Sequence, residues 1–316
     1  MENLPNEPEN TIKEFLIFKP KNREEQQEAM NLWIHNKDKA IAKYGHITKW
    51  DTSLITEFHN VAKEIIFKPK TKKELQEAVN LYCTKKEKDN AYARYGYISN
   101  WDTSLITDMS KLFKNKKNFN DDISNWNVSS VTNMSGMFAW AHSFNQPLDS
   151  WDVSSVIDMS YMFQAAYEFN QPLNSWDVSS VTNMAYMFEV ASKFNQPIST
   201  CVIQEAVIEH IHYIPKDVKG WDVSSVTNMS CMFQFARSFN QQLDSWDVSS
   251  VTNMSHMFNK ACRFDQSLNS WDVSSVNHMF RMFGLPHNNY SDPGKPCRIH
   301  PDNVLWFDFK SGYWER

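Results

Sequence analysis

The chain has 316 residues, 41% of them hydrophobic, a formal net charge of −5 and only 7 glycines. With a mean hydropathy of −0.56, that composition describes a folded, water-facing protein and excludes a disordered one; it also leaves no glycine-rich loop to cradle a phosphate. No apolar stretch approaches the ~20 residues that span a bilayer, so membrane insertion is not expected.

The first ten residues, MENLPNEPEN, are polar and acidic where a secretory signal is basic and then apolar. No signal peptide is therefore expected, and the expected location is cytoplasmic or inside a virion or similar particle. Cys83, Cys201, Cys231, Cys262 and Cys297 form no CxxC pair, which predicts free thiols in a reducing compartment. Residues 1–117 hold 21 Lys and Arg against 17 Asp and Glu, and the remainder holds 11 against 20. A mildly basic beginning thus precedes an acidic body, too weakly polarised to predict nucleic-acid binding.

Residues 1–97 contain a duplication. Phe18-Lys19-Pro20-Lys21 matches Phe67-Lys68-Pro69-Lys70, and Tyr44-Gly45 matches Tyr95-Gly96. Leu75, Ala78, Val79 and Tyr82 have helical spacing, and Thr71 with Glu74 has the spacing of a capping box, which Asn22 and Glu25 imitate. These features predict a pair of helical modules, each with one helix of about five turns, that form the N-terminal cap of a repeat array.

From residue 98 to 286 a 25-residue unit recurs, with its tryptophan at Trp101, Trp126, Trp151, Trp176, Trp221, Trp246 and Trp271. A fixed period of this length marks a solenoid, whose units pack on their neighbours. In the unit that begins at Leu148, Trp151 and Val153 share the face of a strand. Val156, Met159, Met162, Phe163, Ala166 and Phe169 recur at helical steps, with Ser154 or Ser155 placed to cap the helix. Asn170, Gln171 and Pro172 supply the corner. The predicted fold is α/β: a leucine-rich-repeat-like solenoid of strand–helix units with a helical N-terminal cap.

Two columns of polar residues repeat with the unit. Asn120, Asn145, Asn170, Asn195, Asn240 and Asp265 are expected to hydrogen-bond corner backbone between coils. Asp152, Asp177, Asp222, Asp247 and Asp272 lie between inward-facing residues, so they are expected on the open, concave side, where the open readings are a row that attracts a basic partner or a cation, caps for neighbouring helix N-termini, or a solvated face. Residues 201–220, CVIQEAVIEHIHYIPKDVKG, interrupt the period and offer a second candidate contact, with Glu209, His210 and His212 as its polar side chains. On a helix His210 and His212 diverge by roughly 200°, so no metal site is expected there. Residues 287–316 abandon the repeat and are rich in aromatics such as Trp306 and Trp314, which predicts a C-terminal cap.

No zinc-like Cys/His spacing, HExxH or nucleotide loop occurs, and the abundant Ser, Asp and Asn come from the repeat itself. Neither an enzyme nor a cofactor is expected. The motifs W-D-V-S-S-V-T-N-M-S-Y-M-F and F-N-Q-P-L-N-S resemble the BspA-like leucine-rich repeat family, found in mycoplasma surface lipoproteins and in proteins of protists, algae and giant viruses. The resemblance covers roughly residues 98–283 and implies a solenoid surface used for protein binding or adhesion; the N-terminal modules look more like the eukaryotic or giant-virus members. The expected function is a non-enzymatic scaffold that binds a protein partner through its concave face and the 201–220 insertion. A structural component of a virion or other assembly, or a surface adhesion protein, is the alternative.

Overall fold

The computed structural model describes residues 18–21, 25, 28, 29, 32, 37–44, 66–199 and 220–283. The chain divides into two compact units, Met1–Lys68 with Glu77–Asp102, and Pro69–Gln76 with Thr103–Arg316. All helical residues described precede Trp101, and the complete helices are α1 (Lys37–Tyr44), α2 (Lys72–Tyr82) and α3 (Lys88–Tyr95).

Thr71 caps the helix as predicted, but the reciprocal bond of the capping box shifts by one residue, to the N–H of Lys70. The Glu74 N–H donates to Thr71 Oγ1 at 3.2 Å, and the Glu74 carboxylate accepts from the Lys70 N–H at 2.6 Å. Leu75, Ala78, Val79 and Tyr82 are all buried, as their spacing predicts. Instead of one helix of five turns, a 3-10 turn at Lys85–Glu87 separates α2 from α3, which ends at Gly96 with φ of 68°.

The sequence duplication is a structural one too. Phe18 packs on Tyr44 with ring centroids 4.6 Å apart, and Phe67 packs on Tyr95 at 4.5 Å. Lys21 donates its N–H to Glu25 as Lys70 does to Glu74. Asn22 lies outside the described residues.

The repeat forms a solenoid, but its coils contain neither helix nor strand among the described residues, which corrects the α/β strand–helix expectation. The only β pairing among them is a run of single-residue parallel bridges, including Asp158 with Asn183 and Asn183 with Asn228. Each coil is instead a succession of tight turns, and the segment from Met159 to Ala166 shows how these satisfy the backbone. The N–H groups of Met162, Gln164 and Ala166 donate three residues back, to Met159, Tyr161 and Phe163. Those of Met159, Tyr161, Phe163 and Ala165 donate to the next coil, to Asn183, Ala185, Met187 and Glu189, at 2.7–3.0 Å. The Ser160 N–H donates to Asp158 Oδ1 at 2.8 Å. Every backbone donor in the segment has a partner, half within the coil and half across coils.

This alternation requires left-handed backbone at two points per coil. Tyr161 and Ala165 have φ of 59° and 53°, as do their counterparts Tyr186 and Val190 at 61° and 58°, and Cys231 and Phe235 at 56° and 59°. Left-handed φ at a non-glycine residue costs on the order of 1 kcal/mol, and here the hydrogen bonds between coils offset it. No α-helix can pass through such residues, so Ser154 and Ser155 cap none.

Between coils the core is stacked aromatic rings. Phe138, Phe163, Phe188, Phe233 and Phe258 form one column at 5.5–5.8 Å, and Phe144, Phe169, Phe194 and Phe239 a second at 6.0–6.1 Å. Within a coil the two columns touch, with Phe163 and Phe169 4.0 Å apart. Trp176, Trp221, Trp246 and Trp271 make a third column at 6.3–6.4 Å, and each indole N–H donates to a carbonyl of the preceding coil. The corner asparagines form the expected ladder: the N–H of Asn145, Asn170, Asn195, Asn240 and Asp265 each donates to Oδ1 of the residue before it in the column, at 2.8–2.9 Å.

Cys83 and Cys231 form no disulfide, whereas Cys262 is disulfide-bonded, which departs from the expectation of free thiols throughout. The C-terminal aromatics from Tyr290 to Trp314 lie outside the described residues.

Candidate recognition surface

The carboxylates of Asp152, Asp177, Asp222, Asp247 and Asp272 are exposed, one per coil. Each is also a turn residue. Asp152 Oδ1 accepts from the Ser154 N–H at 3.1 Å and from its hydroxyl at 2.7 Å, and Asp177 and Asp222 repeat both bonds with Ser179 and Ser224. Asp247 and Asp272 accept from the N–H of Ser249 and Ser274. The Ser249 hydroxyl and N–H hold the Asp247 carboxyl below its ordinary range, against some burial and the like charge of Asp272. In the coil of Trp126 Asn127 makes the same two bonds to Ser129 without a charge. One oxygen of each carboxylate is thus committed to the fold, and what Asp152, Asp222 and Asp247 offer a partner is negative charge. Glu209, His210 and His212 lie outside the described residues.

A different stretch of the coil carries the variety. The core and corner positions are nearly invariant between coils, because stacking demands the same ring or amide in each. The left-handed position two residues after the coil's first methionine is occupied in turn by Lys111, Gly136, Tyr161, Tyr186, Cys231, His256 and Arg281, and the second by Asn115, Trp140, Ala165, Val190, Phe235 and Lys260. Their backbones belong to the ladder that joins successive coils, so the residues at each position form a continuous row on one face. This turn face was legible in the sequence only as the place where the repeat drifts.

Its side chains interact along the row. Tyr161 and Tyr186 stack at 4.5 Å, 7° from parallel, and His142 stacks on Tyr167 at 4.5 Å. Trp140 and Tyr161 remain 40% and 37% exposed, large for aromatic rings that no core requires. Lys260 sits over the Phe235 ring at 5.0 Å, a cation–π contact. Between the tyrosines' coils Gln164 donates its amide to Glu189 at 2.6 Å, and burial pushes the Glu189 carboxyl up against that bond. The hydrogen bond to Cys231, then burial, pushes the Tyr186 phenol up, and burial pushes the Cys231 thiol up. A thiol so raised is a weak nucleophile at neutral pH.

Among the described residues no group of three His, Cys, Asp or Glu side chains is placed to hold a metal ion, and no helix is long and apolar enough to cross a membrane. What the turn face offers is exposed rings, amides and cations on a rigid backbone.

No curated protein and no solved structure matches the chain significantly. A family model described as "Mycoplasma protein of unknown function, DUF285" matches residues 80–201 and 203–292, more than half of the chain. The match is to a mycoplasma-type repeat family and carries nothing specific to giant viruses. The absence of strand and helix from the described coils likewise removes the leucine-rich-repeat part of the resemblance. By the extent of the match and the coils it spans, the chain belongs to the DUF285 family of repeat proteins.

Proposed function

We propose that this chain is a non-enzymatic repeat scaffold that binds a protein partner through the turn face, without a cofactor. The observation that carries the reading is the division of labour within a coil. The near-invariant Trp, Phe, Asn and Asp positions are consumed by core stacking and corner hydrogen bonds, while the left-handed rows present a different side chain in almost every coil. A solenoid that had only to stack would have no use for an exposed tryptophan at Trp140 or a paired Tyr161 and Tyr186. Rigid aromatics on a backbone already fixed by inter-coil bonds lose little entropy on binding, which suits them as anchors. The Asp152 row adds negative charge rather than shape.

The test is capture of a partner from native lysate by the intact chain and by two variants. Trp140→Asn with Tyr161→Asn removes both rings and leaves a residue that tolerates left-handed backbone. Asp152→Asn with Asp177→Asn removes charge and keeps the turn bonds that Asn127 already makes. Capture is expected to fail with the first variant and survive with the second. A folded first variant that retains the whole set of captured proteins would sink the reading.

A further inference from the structure

Charge is sorted within the coils more sharply than the overall balance suggests. Over the described residues from 111 to 280 there are eight Lys and Arg, and all eight fall in the eight-residue turn segments that begin at each left-handed position, 111–118, 136–143, 161–168, 186–193, 231–238 and 256–263. The same stretch has thirteen Asp and Glu, of which only Glu168 and Glu189 lie in those segments, and eleven lie elsewhere in the coil. Glu168 is itself paired with Lys193. The turn face is thus cationic at its two ends, with Lys111 and Lys114 toward one and Arg237 and Arg263 toward the other, and aromatic in between, where segments 136–143 and 161–168 have no cation. The rest of the coil carries an anionic row that contains no cation among the described residues.

We propose that the turn face of one chain takes up the Asp152–Asp272 row of a second copy. Both surfaces advance by one position per coil, so in two copies lying side by side the cations of the segments that begin at Lys111, Cys231 and His256 meet carboxylates of the row, and the segments that begin at Gly136 and Tyr161, which have no cation, contribute their aromatic rings. The row and the turn face occupy different parts of one molecule, so the contact is heterologous: a chain that has used its turn face still offers its acidic row, and association is open-ended. Long-range attraction between exposed charges is screened over roughly 8 Å at physiological salt, so assembly weakens as salt rises. Single exposed pairs contribute little; the proposal depends on the row acting as an array, with Trp140 and Tyr161 excluding water at its centre. It rests on the turn face being the recognition surface and names its occupant.

The test uses the full chain in sedimentation velocity at low and high salt, with two variants. In one, Lys111→Glu, Lys114→Glu and Arg237→Glu reverse the cationic ends of the turn face and leave the acidic row intact. In the other, Asp152→Asn, Asp177→Asn, Asp222→Asn and Asp247→Asn remove the row while keeping the turns. The wild type is expected to form a concentration-dependent series of oligomers that high salt dissolves, and each variant alone to associate at least about tenfold more weakly. Mixed, the two variants have one live surface each and are expected to form a one-to-one dimer that grows no further. A wild type that stays monomeric at low salt overturns the proposal, as does self-association unaffected by both changes or a mixture that forms nothing. If the chain is monomeric yet loses a captured partner with Trp140 and Tyr161, the second copy is the wrong occupant and the recognition surface stands.

Discussion

The indole N–H of Trp221 donates to the Leu173 carbonyl at 2.8 Å across 48 residues of sequence, the same bond that Trp176 makes to Leu148 at 2.8 Å across 28. The solenoid therefore continues from one coil to the next as though residues 201–220 were not there. The turn that precedes each tryptophan is closed as well: the Trp221 N–H donates to the Ile198 carbonyl at 3.0 Å, as Trp176 does to Leu173 at 3.2 Å.

Deleting residues 201–220 joins Thr200 to Trp221 and leaves Ser199 and Thr200 in the turn where the coil before has Asn174 and Ser175. The 25-residue period is restored. Removing a segment whose flanking residues already meet changes stability by no more than about 1 kcal/mol. The expected result is an unaltered circular dichroism spectrum and a cooperative melt near that of the full chain. A shortened chain that fails to melt cooperatively would show that the insertion props the coils.

Asn195 holds two coils together at a corner. Its Oδ1 accepts from the Asn240 N–H at 2.8 Å and from the Gln241 amide at 3.0 Å, and its own N–H donates to Asn170 Oδ1 at 2.9 Å. Alanine there leaves a backbone donor without its acceptor, at a cost of about 1–3 kcal/mol. Aspartate keeps an acceptor oxygen and is expected to cost less. Denaturant unfolding of both variants checks the order, and equal losses would mean that the acceptor is not what matters.

Val190 is a β-branched residue with φ of 58°, a region such side chains avoid. At the same position of the first coil stands Asn115, with φ of 64° and a side chain that tolerates it. Val190→Asn is accordingly expected to raise stability by about 1 kcal/mol, unusual for a substitution in so regular an array. A lowered melting temperature would mean that packing of the half-buried valine outweighs its backbone strain.

The period, the corner ladder and the inward residues could be read from the sequence because each arises from side-chain chemistry that repeats. The backbone could not. Val156, Met159, Met162, Ala166 and Phe169 sit at steps of three and four in a helix and equally in a chain of three-residue turns, and only the sign of φ at Tyr161 and Ala165 separates the two. Asn115 and Gly136 hint at left-handed positions, but tyrosine, tryptophan and valine at the others hide them. The acidic row was visible because it repeats. The turn face escaped notice for the opposite reason: it is where repetition stops, and Trp140, Tyr161 and Lys260 share nothing but a place in the coil.

Two imidazoles on the turn face tie stability to pH. Burial and then the charge of Lys117 hold His142 below its ordinary range, and its Nε2 is buried without a hydrogen-bond partner while the ring stacks on Tyr167. Burial and then Arg281 do the same to His256. Both groups bind a proton more weakly folded than unfolded, so the stability they contribute is complete above about pH 6.5 and is lost as pH falls through the folded values. The depressed carboxyl of Asp247 works in a separate window, below the ordinary carboxylate range near about 4. Melting temperature is therefore expected to decline between neutral and mildly acidic pH in the wild type and to decline less in His142→Gln with His256→Asn, the second chosen to suit its φ of 59°. Parallel curves for the two proteins would remove both imidazoles from the account and leave the decline to groups elsewhere in the chain.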